Sequence, residues 1–129
     1  MVKRVTYEHL PQIAGPYVHA TKHNRTLYVS GLTAYGTHCQ AQDFEAQTNI
    51  ILKQISEILK VEKRNVSDLV KLTIFVKDIT KLPAIRTMLF EFYGKYLPSC
   101  SLVEVSNLIH SELEIEIEAI VALESSTSR

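Results

Sequence analysis

Three things are scarce in this chain of 129 residues: cysteine, net charge and long apolar runs. Two isolated cysteines, Cys39 and Cys100, make neither a disulfide framework nor a metal-type spacing, which fits a reduced, cytoplasmic protein. Basic and acidic residues balance at 14 each, against a protein that grips nucleic acid by neutralising phosphates. No run approaches the roughly 18 consecutive apolar residues of a membrane span. The opening "MVKRVTYEHLPQIAGPY" also lacks the apolar centre of a signal peptide. Repeats, linkers and low-complexity tracts are missing too. The five histidines are scattered; His19 and His23 share an i, i+4 spacing but fall on an expected strand and turn, so they read as surface residues and no metal site is expected.

What is present is a patterned globular sequence. An apolar content of 46% supports a core, and the length is that of one domain, small enough for further burial in an oligomer. Residues 1–124 are expected to form that domain, and "SSTSR" at 125–129 a frayed polar tail. A short strand is predicted over Val2 to Thr6, and "YVHATKHNRTLYVSG" reads as a hairpin turning at Asn24. Residues 32–42 form a loop. Asp43 then caps a helix running to about Lys60, with Phe44, Thr48, Ile51, Ile55, Ile58 and Leu59 at helical spacing.

"VSDLVKLTIFVKD" follows as a strand, with Val70, Leu72, Ile74 and Val76 on one side and Lys71, Thr73, Phe75 and Lys77 on the other. Thr80 is expected to cap a second helix, with Pro83 in its first turn and an apolar stripe through Leu82, Ile85, Leu89, Phe92, Tyr93 and Tyr96. Pro98 leads into the strand "SCSLVEV", and "ELEIEIEAIVAL" alternates strictly, Ile115, Ile117, Ala119 and Val121 against Glu114, Glu116, Glu118 and Ile120. The order β, β, β, α, β, α, β, β predicts a two-layer α+β fold with both helices on one face of a mixed sheet. The other face is expected to carry Lys71, Thr73, Phe75, Cys100, Leu102, Glu104, Glu116 and Glu118. That mixture suits a subunit interface with pockets for a small-molecule ligand.

"IAGPYVHA", "LYVSGL", "VKLTIFVKDI", the proline before the fifth strand, "SLVEVSNL" and "EIEIEAIVAL" together resemble the RidA/YjgF/UK114 family of reactive intermediate deaminases, over about residues 3 to 123. The resemblance implies a chorismate-mutase-like fold and a homotrimer with sheets around a central barrel and pockets between subunits. It also implies hydrolysis of 2-imino or enamine acids to 2-keto acids and ammonia, without cofactor or metal. Tyr17 stands in the "GPY" motif that lines the pocket. Ser30 and Gly31 stand in the "SG" motif whose backbone borders the ligand. Glu118 is the second glutamate of the "EIEA" signature, implied to position the attacking water, while Glu114 and Glu116 read as solvated.

Two positions depart from the family pattern. Cys100 replaces the arginine of "P-A-R-S", which grips the substrate carboxylate, and Arg86 stands where asparagine is usual. An arginine fork makes charge-assisted bonds of about 1.5–3 kcal/mol net, and a thiol offers only a weak donor. Three readings stay open: an imine or enamine hydrolase with altered substrate preference, a ligand-binding protein without catalysis, and a thiol enzyme using Cys100. Cys39 reads as incidental. Ribonuclease activity, also attached to the family, is the weakest fit to a chain of zero net charge.

Overall fold

The computed structural model describes residues 1–124; the expected tail at 125–129 lies outside the described residues. The strands are β1 (Lys3–Val5), β2 (Ala20–His23), β3 (Thr26–Leu32), β4 (Leu69–Val76), β5 (Ser99–Glu104) and β6 (Ile115–Ala122). Helix α1 spans Phe44–Val61 and α2 spans Leu82–Tyr93. The strands form one sheet in the order β1-β2-β3-β6-β4-β5, with β4 and β5 parallel and the remaining pairs antiparallel. This is the expected mixed sheet of an α+β fold.

Connectivity decides which face the helices cover. Strands β3 and β4 both run antiparallel to β6, so β3-α1-β4 and β4-α2-β5 are both crossovers between parallel strands. Both step the same way across the sheet. Crossovers of one hand taken in one direction place their helices on the same side. That side is the core, where Leu27, Leu72, Ile74, Ile115 and Ile117 meet Ile51, Ile55, Ile58 and Ile85, all at 0–2% exposure. On the uncovered side Tyr28 and Val103 are each 45% exposed.

Local chemistry explains the boundaries. Asn24 and Arg25 both have positive φ, 50° and 62°, giving the tight β2–β3 hairpin its two-residue left-handed turn. Asp43 accepts from the Ala46 N–H at 2.9 Å and starts α1 as expected. The N-terminal side of α2 differs from expectation. Asp78, not Thr80, is the cap: its carboxylate accepts from the Thr80 N–H and hydroxyl, and a short 3₁₀ turn over Ile79–Lys81 feeds the helix. Helix α2 stops at Tyr93 before Gly94, whose φ is 60°, so Tyr96 falls outside the apolar stripe and is half exposed.

Two strand assignments also change. Leu69 pairs with Val121 but Lys71 with Ile120, so Val70 is the extra residue of a bulge. Leu69 takes the inward place expected for Val70, which is 48% exposed. On β5, Cys100 pairs with Leu72, Leu102 with Ile74 and Glu104 with Val76, which puts these three on the helix side of the sheet and not on the open side. Leu102 packs against the core, and the Glu104 carboxylate accepts from the Ile79 N–H at 2.9 Å, capping the turn before α2. Ser99, Ser101 and Val103 are the residues of β5 on the open face. Cys39 is buried in a satellite cluster with Ala34 and Leu113, and Cys100 is exposed; both thiols are free.

One buried amide joins the loops beside the sheet. Gln47, at 0% exposure, donates through Nε2 to the carbonyls of Gln40, Gln42 and Glu112, and its Oε1 accepts from the Glu114 N–H. Gln47→Leu keeps the volume but strands these backbone groups. A buried polar group left unpaired costs about 1–3 kcal/mol, so urea denaturation of Gln47→Leu should show a loss of at least about 2 kcal/mol.

Candidate functional site

A cavity of about 410 Å³ opens where the N-terminal segment crosses the ends of β3 and β6. Its shape follows from a second bulge. Val29 pairs with Ala119 and Leu32 with Ile117, so Ser30 and Gly31 together oppose the single residue Glu118. Ser30 turns back to the segment before β2: its N–H donates to the His19 carbonyl at 2.9 Å and its hydroxyl to the Val18 carbonyl at 2.6 Å. Gly31 is left facing Glu116. A β-carbon at Gly31 would lie 2.7 Å from Cδ of Glu116, so the Glu116 side chain occupies the space that any other residue there would fill.

The structure thus brings Tyr17, Ser30, Gly31 and Glu118 around one cavity, together with two residues that sequence reasoning assigned elsewhere. Glu116, expected to be solvated, lies half-buried in the wall. Burial, and then repulsion from Glu118, raise its pKa above the usual carboxylate range. Glu118 is exposed. The two alternate on one strand with a residue between them, so both point to the same side, about 7 Å apart along the strand. The signal for Glu116 in the sequence was its two-residue spacing from Glu118; its closeness to Gly31 needed the bulge. Two carboxyls whose surroundings push their affinities for a proton apart can act as acid and base.

His19 is the other correction. Expected at the surface, it is 7% exposed and both ring nitrogens are engaged, Nδ1 with the Tyr7 N–H and Nε2 with the Pro11 carbonyl. Its polar side chain hid this burial from the sequence pattern. His23 is exposed at the end of β2. Among the described residues no group of three or more His, Cys, Asp and Glu side chains could hold a metal ion.

Cys100 and Arg86 do not line this cavity. Cys100 lies on the edge strand, facing the α2 side, where Tyr93 is buried with a hydroxyl that has no hydrogen-bond partner among the described residues. Arg86 is exposed on α2. Burial pushes the Cys100 thiol up, only partly opposed by Lys71. Glu118, on the other face of the sheet, is not among the groups that shift the thiol. Within one copy of the chain, Cys100 and Arg86 are therefore apart from the cavity that Glu116 lines.

The family model described as Endoribonuclease L-PSP matches residues 7–123. A RutC family protein of Pyrococcus horikoshii is 31% identical over 116 residues, which are 88% of this chain and 91% of that one. The 2-iminobutanoate/2-iminopropanoate deaminase of Salmonella typhimurium is 31% identical over 125 residues, 93% of this chain and 97% of that one. Among solved structures, a Yersinia pestis protein of the conserved Rid family superposes with a TM-score of 0.84 at 28% identity, covering 95% of this chain and 99% of that one.

The carboxylate pair yields a test. A folded-state pKa above the unfolded one means that Glu116 adds stability at low pH and loses it as pH rises through the raised value. Glu116→Gln removes that loss, so its stability relative to the parent should be greater at about pH 8 than at about pH 4 in urea titrations. Equal differences at both pH values would contradict the assigned environment. Gly31→Ala should fold with little change in stability, because a flexible side chain can yield, while carbon-13 NMR shows the Glu116 carboxyl titrating nearer its ordinary range.

Proposed function

This chain belongs to the RidA/YjgF/UK114 family, and from that premise we propose that it hydrolyses small imine or enamine metabolites to keto compounds and ammonia, in pockets completed between the subunits of a homotrimer. The observation that carries the reading is Glu116, a half-buried carboxyl with raised proton affinity, seated over Gly31 beside the exposed Glu118. Imine hydrolysis needs a group that both takes and gives a proton near neutral pH. Water attacks the carbon of the C=N bond as one of its protons passes to a carboxylate and the nitrogen is protonated. The resulting carbinolamine then breaks its C–N bond, ammonia leaves, and the hydroxyl proton is lost to give the carbonyl. Glu116 exchanges the protons and Glu118 holds the water. A protonated imine is a cation, and both carboxylates favour it over the neutral product.

The same charges set the substrate preference. Without an arginine at position 100, a substrate carboxylate meets two glutamates and no matching fork. The preferred substrates are therefore imines that lack a carboxylate or reach Arg86 of an adjacent subunit with it. The two acidic groups in the cavity also disfavour RNA, whose phosphates need cations. Raised by burial, the Cys100 thiol is poorly suited to nucleophilic catalysis, which needs a thiolate. A ligand-binding trimer without turnover is the second reading, favoured by Cys100 itself.

Keto-compound release from freshly generated imines, with and without a carboxylate, tests the proposal. Glu116→Gln should abolish release. Cys100→Arg should raise turnover of a 2-imino acid about tenfold or more, equivalent to about 1.4 kcal/mol of transition-state stabilisation. Ligand binding without keto release from any imine would favour the second reading. Light scattering should give about three chain masses at micromolar concentration; a monomer would remove the shared pocket.

A further inference from the structure

The cavity wall formed by residues 10–17 contains no helix or strand of its own. Ser30 holds the end of this wall through the Val18 and His19 carbonyls, but among the described residues the stretch 10–14 has no such tie to the sheet. We propose that His19 is a positioning residue that fixes this wall by clamping two backbone groups of opposite kind; its effect on turnover rests on the reading of the cavity as the reactive site. The Tyr7 N–H, which can only donate, lies 2.8 Å from Nδ1, and the Pro11 carbonyl, which can only accept, lies 2.9 Å from Nε2. The ring therefore carries its hydrogen on Nε2 and leaves Nδ1 free to accept. One ring spans the two ends of a turn whose second anchor, Pro11, itself borders the cavity.

The first anchor is also held away from His19: the Tyr7 hydroxyl donates to Glu62 at 2.8 Å. Glu62, just past the end of α1, pairs with Lys22 of β2 at 2.7 Å. Tyr7 is thus fixed to the helix and sheet, and His19 transmits that position to Pro11. Since both ring nitrogens are occupied by backbone, His19 acts through the wall and not on a substrate.

The clamp needs one acceptor and one donor side by side on one planar group. Glutamine has both and leucine has neither. His19→Gln should keep the Tyr7 amide protected from hydrogen exchange, whereas His19→Leu should speed its exchange at least about tenfold. In imine hydrolysis His19→Leu should raise KM about tenfold with kcat within about threefold, and His19→Gln should restore KM. Should the leucine variant fail to fold, His19→Met, which also fills the space without a donor, carries the same expectation. A folded leucine or methionine variant with parental Tyr7 protection and KM overturns the proposal, as does a glutamine variant as impaired as leucine. If the parent protein hydrolyses no imine, the proposed function fails, and the exchange measurement alone decides the role of His19.

Discussion

The handedness of two crossovers governs this molecule. Because β3-α1-β4 and β4-α2-β5 step the same way, both helices lie on one face, and the other keeps strand side chains with no helix over them. Lys71, Thr73 and Phe75 of β4, Glu116 and Glu118 of β6, and Ser99, Ser101 and Val103 of β5 share that face. A sheet whose second face is neither fully polar nor fully apolar can hold charged groups near low-dielectric surface, where their proton affinities shift. The raised pKa of Glu116 is one result.

Within that frame the Ser30–Gly31 bulge sets the fine position of the carboxylates. An unbroken ladder would give β3 a side chain opposite each residue of β6. The bulge puts two residues against Glu118 and supplies the only residue type that leaves room for Glu116. Ser30 meanwhile ties β3 to Val18 and His19, so one local irregularity links the carboxylate strand to the N-terminal wall. The site is thus built less from strand regularity than from its interruption, a common use of bulges beside functional groups.

The legible parts of the fold were those where burial and polarity alternate with a fixed period. Ile115 to Val121 and the α1 stripe from Phe44 to Leu59 announced their inward faces because each inward place is apolar. Strand β5 gave no such signal. It lies at the sheet edge, only Leu102 anchors it to the core, and its orientation follows from parallel pairing with β4, which no local pattern encodes. Val70 misled because valine suits either side of a bulge. Tyr17, Ser30, Gly31 and Glu118 could be grouped only by family resemblance. Glu116 and His19 escaped because their roles depend on backbone partners that no periodic pattern marks: Gly31 for one, Tyr7 and Pro11 for the other.

The strand order also has a kinetic meaning. Strand β6 is the last element of the described chain yet lies between β3 and β4 in the sheet. Until it arrives, β3 and β4 have no common partner, and each keeps an open edge available for wrong pairings. The contacts that close the sheet join Thr26 to Ala122 and are among the most distant in the sequence, which makes closure a slow step relative to forming the helices. During synthesis, insertion of β6 must wait until the ribosome has released the chain through Ala122. Glu116 and Glu118 travel on that strand, so a chain that has not yet inserted β6 has no carboxylate pair in the cavity. Completion of the sheet and assembly of the carboxylate pair are one event.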